Sequence, residues 1–161
     1  MTIPLSSPDI TDSEIDAVTA VLRTSRLSLG PQIEAFACAM AEYVGVPHAV
    51  AVSSGTAGLH LCIRALGIGE GDEVIVPSFT FIAAANAIRY ERAQPVFVDI
   101  DAESLNMSPA SIEQAITPKT RAILAVHTFG RPADMTAIMA IAQRHQLLVI
   151  EDACEAIGAT Y

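Results

Sequence analysis

"RAILAVHTFGRPADMTAIMAIAQRHQLLVIED", residues 121–152, holds two short apolar runs separated by a longer amphipathic stretch. The first run, 121–127, and the last, 147–152, are rich in Val, Ile and Leu and are bounded by polar or turn residues. That pattern reads as strands buried on both faces. Residues 132–146 between them have helical spacing, so the unit reads as strand, helix, parallel strand.

The same alternation extends outward. "HAVAVSS" (48–54), "DEVIVPS" (72–78) and "PVFVDID" (95–101) have the same strand character. Helix-like stretches lie between and ahead of them. Residues 11–23 open on a Thr11/Glu14 capping-box pattern, with Ile15, Val18 and Leu22 at helical spacing. Residues 30–45 start with Pro31 in a first turn and stop at Gly45. A third stretch ends at Gly67, a fourth follows 72–78, and a fifth has Ser108 as cap with Pro109 behind it. Five strands alternating with helices predict a mostly parallel, right-handed α/β sheet. No internal repeat or low-complexity linker interrupts the pattern.

At 161 residues, with 52% hydrophobic and 17% charged, the chain is long and apolar enough for a sizeable core. Its formal charge of −9 argues against nucleic acid or an anionic membrane as partner. A phosphorylated ligand remains open, because backbone N–H groups hold phosphate without basic side chains. Cys38, Cys62 and Cys154 are odd in number, widely spaced and in apolar settings, so they are expected to be reduced packing residues, with no disulfide and no metal site. No apolar run approaches the roughly 18 residues of a membrane span, and the start lacks the layout of a signal peptide; a cytoplasmic protein is expected.

Ligands of parallel α/β sheets bind outside the carboxyl ends of the strands. After 48–54 come Ser53, Ser54, Gly55, Thr56, Ala57 and Gly58, small residues leading into a helix. Their free N–H groups and the positive helix end suit a phosphate; the alternative is a plain N-cap by Ser54 or Thr56. Neither of the glycine-rich nucleotide-binding patterns is present. Phe79 and Phe81 follow 72–78, placed either to stack on a flat ligand or to fill the core. Asp152 ends 147–152, either capping a following helix or keeping a heteroaromatic ring nitrogen protonated. His127, at another strand end, reads equally as a packed histidine or a ligand contact.

Residues 49–88, 95–101, 115–135 and 149–159, in that order, closely resemble the DegT/StrS-type (DegT/DnrJ/StrS) sugar aminotransferases, pyridoxal-phosphate enzymes of the aspartate-aminotransferase superfamily, fold type I. Residues 25–46 look like the family's N-terminal segment. The resemblance implies a three-layer α/β/α large domain with about five of its seven strands over 46–161, a helical segment over 1–45, and a small C-terminal domain outside the chain. It implies pyridoxal 5'-phosphate as cofactor, an amino-acid donor such as glutamate, a nucleotide-linked keto sugar as acceptor, and a homodimer. Gly55 and Thr56 match the phosphate-binding turn, Phe81 the aromatic stacked on the pyridine ring, and Asp152 the acid at the ring nitrogen. Glu155 falls where the family commonly has Gln or His near the ring's phenolic oxygen, and there a carboxylate would repel a phenolate unless protonated or turned away. Phe129 stands where Tyr is frequent, and Arg92 where Gly is common.

The family's Schiff-base lysine follows the Glu151-Asp152 block in a segment this chain does not contain. The only lysine, Lys119, lies in a polar turn at the wrong end of a strand. The chain is therefore expected to be the N-terminal part of a larger aminotransferase, with no catalytic residue of its own and inactive alone. Two alternatives stay open: a dehydratase-like family member with His in place of the lysine, and a non-catalytic α/β binding module. In the fold the sequence resembles, the first strand neighbours the sixth and seventh, which are absent. Residues 48–54 are thus expected to lie loosely against the other four strands or to pair non-natively.

Overall fold

The computed structural model describes residues 7–161, which divide into two units, one ending at Ala51 and one spanning Val52–Tyr161. The first unit holds α1 (Asp12–Leu22) and α2 (Pro31–Val44). Thr11 and Glu14 close the capping box that the sequence announces. Gly45 ends α2 in the left-handed conformation that a residue without Cβ adopts freely, its N–H and that of Val46 both reaching the carbonyl of Ala41 at 3.0 Å. No residue of either helix is buried, and Ile15, Val18, Leu22 and Phe36 are exposed.

The second unit runs α3 (Gly55–Ala65), β1 (Glu73–Pro77), α4 (Ala83–Tyr90), β2 (Gln94–Val98), α5 (Pro109–Ala115), β3 (Thr120–Val126), a 3-10 turn (Thr128–Gly130), α6 (Met135–His145) and β4 (Leu148–Asp152). The four strands form one parallel sheet in the order β2-β1-β3-β4. Four of the five expected strands are present within a few residues of their expected bounds. The fifth is corrected: residues 48–54 form no strand and join no sheet. Their apolar pattern suits a strand, but a strand exists only with a partner to complete its backbone hydrogen bonds, and none is there.

Alternation along the strands feeds two cores. Val74, Val76, Ala122 and Leu124 pack with Leu59 and Ile63 of α3 and Ala84 and Ile88 of α4. Ile75, Ile123 and Ala125 face the other way, onto Ile112 of α5 and Ile138 and Ile141 of α6. The sheet is thus the middle of three layers, as an α/β/α fold requires. The order of connection reverses across the sheet: β1 leads to β2 on one side, whereas β3 leads to β4 on the other. The carboxyl ends of β1 and β3 therefore lie at a topological switch point, where the loops part and leave a crevice.

Three smaller expectations change. The hydroxyl of Ser108 accepts no cap hydrogen bond, although the helix starts where Ser108 and Pro109 place it. All three cysteines are free, but exposed instead of packed; on α3 the buried positions are Leu59 and Ile63, and Cys62 lies off that face. The helix after β1 begins only at Ala83, which leaves Phe79 and Phe81 in a loop. Among the described residues no helix is long and apolar enough to cross a membrane.

Candidate functional site

A cavity of about 520 Å³ occupies the switch point. Its walls come from the start of α3 (Gly55, Thr56), the loop after β1 (Phe79, Phe81), the loop after β3 (His127, Phe129) and the end of β4 (Asp152, Glu155). Parallel strands deliver three of these four groups to one edge, and α3 points its amino end at the same place. All five residues singled out by the resemblance, Gly55, Thr56, Phe81, Asp152 and Glu155, line this one cavity. Lys119 does not: it is exposed in the turn at the amino end of β3.

Both readings of the serine-rich turn hold together. Ser54 is the N-cap of α3, its Oγ accepting the N–H of Ala57 at 3.1 Å, and the Gly58 N–H bonds the Ser54 carbonyl at 3.0 Å. The N–H groups of Gly55 and Thr56 have no partner among the described residues. Two such donors at the positive end of an 11-residue helix have the geometry that suits an anion. A Cβ on Gly55 would sit 2.7 Å from Sγ of Cys154, so glycine lets α3 start this close to the end of β4.

Asp152 caps no helix within residues 153–161; its Oδ1 accepts the Cys154 N–H at 3.2 Å. The Cys154 thiol is pushed up to about 11 by its hydrogen bond to Asp152, by burial, and by the charges of Asp152 and Glu155. It stays neutral at physiological pH and adds no second negative charge beside the carboxylate. Phe81 is 75% exposed and Phe79 45%, which rules out the core reading for both. Phe79 meets Phe129 edge to face, with ring centroids 6.2 Å apart.

His127 resolves as a packed, hydrogen-bonded residue. Its Nδ1 accepts the Ala133 N–H at 3.2 Å, which places the proton of the neutral ring on Nε2, and that atom donates to Glu151 at 3.0 Å. Both ring nitrogens are committed. Sequence reasoning missed Asn106, which is 2% exposed, accepts the Thr128 N–H and donates to the carbonyls of Arg131 and Pro132. No spacing rule marks it, because its partners lie 22 to 26 residues away. Among the described residues no group of three or more His, Cys, Asp or Glu is placed to hold a metal ion.

The DegT/DnrJ/EryC1/StrS aminotransferase family matches residues 8–161. GDP-perosamine synthase of Caulobacter vibrioides is 49% identical over 160 residues, 99% of this chain and 43% of that protein. An aminotransferase from Psychrobacter cryohalolentis superposes with a TM-score of 0.95 at 42% identity, over 98% of this chain and 41% of its own. Spr1654 of Streptococcus pneumoniae, solved in a PLP-form and a PMP-form, superposes with a TM-score of 0.95 at 34% identity, the PLP-form over 100% of this chain and 45% of its own. The chain spans less than half the length of each of these relatives. Its α/β sheet is that of the fold type I aminotransferases. The chain belongs to the DegT/DnrJ/EryC1/StrS aminotransferase family, whose members work with pyridoxal phosphate.

Proposed function

We propose that this chain is the pyridoxal-phosphate-binding part of a larger aminotransferase, a cytoplasmic homodimer when complete, that passes an amino group from an amino acid such as glutamate to a nucleotide-linked keto sugar. The observation that carries this reading is the pair of free N–H groups on Gly55 and Thr56, in one cavity with the Asp152 carboxylate and the exposed ring of Phe81. The name of the Caulobacter relative supports a nucleotide-linked sugar.

The residues present fit the cofactor. Gly55 and Thr56 would hold its phosphate with backbone donors and the helix dipole, which needs no lysine or arginine. Phe81 would stack on the flat pyridine ring. Asp152 would keep the ring nitrogen protonated, since a carboxylate beside it favours the charged form. The Thr128 hydroxyl, buried in the same wall without a partner among the described residues, leaves one more polar atom for a bound group. When bound, pyridoxal phosphate supplies the electron sink that amino-group transfer requires. Asp152 would tune that chemistry through the ring nitrogen, and Gly55 and Thr56 would anchor the phosphate. The lysine that anchors the cofactor lies outside these 161 residues in this reading, and the chain alone is inactive.

Site variants of the full-length protein test this. Thr56→Pro, which removes one of the two backbone donors in the first turn of α3, is expected to weaken pyridoxal phosphate affinity by about 1.5 to 3 kcal/mol, the range for a hydrogen bond to a charged group. Asp152→Ala is expected to abolish turnover while keeping much of the affinity. Near-normal turnover of Asp152→Ala contradicts the assignment.

A further inference from the structure

The loop joining β3 to α6 is fastened by side chains from distant parts of the chain. Asn106 Oδ1 accepts the Thr128 N–H at 3.0 Å, and its Nδ2 donates to the carbonyls of Arg131 and Pro132 at 3.0 and 3.2 Å. His127 Nδ1 takes the Ala133 N–H. Between these anchors Phe129 adopts φ 54, ψ 30, a left-handed conformation that a bulky residue rarely takes. Its ring is 70% exposed and stands edge to face with Phe79 in the cavity wall. One bond holds the Phe129 N–H: Oε2 of Glu155 accepts it at 2.9 Å, across 26 residues. An ionised acceptor makes this a charge-assisted bond, stronger than a neutral one.

We propose that Glu155 is a positioning residue: its carboxylate latches the Phe129 N–H and, with Asn106, holds the left-handed turn that sets the Phe129 ring beside Phe79 as a wall of the cavity. What that wall faces rests on the pyridoxal phosphate reading; the latch rests on this chain's own atoms. The carboxylate is engaged with the backbone of the loop, so it does not have to meet the cofactor's phenolic oxygen, and the like-charge conflict expected at this position falls away. Two substitutions separate the latch from a direct cofactor contact. Glutamine keeps an acceptor oxygen for the N–H. Glycine at position 129 adopts the left-handed conformation freely, so the turn no longer needs the latch.

Amide hydrogen exchange of the full-length protein without cofactor reads the latch, with peptides covering residues 127–132 and, as a check on folding, 121–125. Glu155→Ala is expected to speed exchange at 127–132 roughly tenfold or more, leaving 121–125 unchanged, and Glu155→Gln to restore it to within about threefold of the parent. In a Phe129→Gly background, Glu155→Ala is expected to add less than about threefold, because glycine keeps the left-handed turn without strain and the turn no longer depends on the latch. Unchanged exchange in Glu155→Ala overturns the proposal, and so does equal acceleration with and without Phe129→Gly. Pyridoxal phosphate binding by the same proteins is scored separately. A latch without cofactor binding sinks the cofactor reading alone, and binding without a latch sinks this inference alone.

Discussion

Arg92 turns the chain between α4 and β2 at φ 64, a conformation that costs a residue with a Cβ about 1 to 2 kcal/mol. Its side chain returns little, since its one ion pair among the described residues, with Glu70, spans 3.8 Å and both side chains are 80% exposed. Arg92→Gly should therefore stabilise the fold by about 0.5 to 1 kcal/mol, the relieved strain less the extra freedom glycine gives the unfolded chain. The urea midpoint should rise at unchanged slope; a lower midpoint would mean Arg92 makes a contact worth more than its strain. This residue was legible: the resemblance put a glycine here, and the backbone shows why. Phe81 and Asp152 were legible in the same way, as types at strand ends. Asn106 and the Glu155 contact to Phe129 were not, because both depend on how the loop after β3 meets residues 22 to 26 positions away.

Helices α3 and α4, and α5 and α6, are each tied by one carboxylate that meets a histidine and an arginine. Glu91, just past α4, meets His60 Nε2 at 2.6 Å and Arg64 at 3.1 Å, the two partners one turn apart on α3. Glu113 of α5 meets Arg144 at 2.6 Å and His145 at 2.7 Å in the last turn of α6. The hydrogen bond from His60, then that from Arg64, holds the Glu91 carboxyl below its ordinary 4.5; His145, then Arg144, does the same for Glu113. A carboxyl lowered in the folded state contributes stability that is fully present above its unfolded value and is lost as pH falls through the folded one. Both ties should therefore hold at neutral pH and loosen below about pH 4.5. The double variant Glu91→Gln/Glu113→Gln should lose less stability than the parent between pH 7 and about pH 3.5, measured by urea melts at each pH; an equal loss would show that other carboxylates carry the acid sensitivity. Capping was legible at this scale where the box is local, as at Thr11 and Glu14. The strand pattern of 48–54 misled for the opposite reason: alternation and burial describe one segment, whereas a strand is a property of a pair.

At the scale of the 52–161 unit, the sheet order β2-β1-β3-β4 creates the site, because only there do the loops after β1 and β3 part while α3 points its free N–H groups into the gap. No single stretch of sequence encodes that order. It was legible through ordered blocks that resemble one family, and the cavity then collects the residues those blocks carry. The same geometry sets Lys119 at the amino end of β3, away from a cavity built at carboxyl ends. In the proposed reading these residues cradle pyridoxal phosphate while the anchoring lysine is elsewhere. Borohydride reduction of the cofactor-loaded full-length protein, followed by peptide mapping, tests it most directly. The expected result is a label on a lysine outside residues 1–161, none on Lys119, and none on these 161 residues treated alone; a label on Lys119 that disappears in Asp152→Ala would overturn the proposed site.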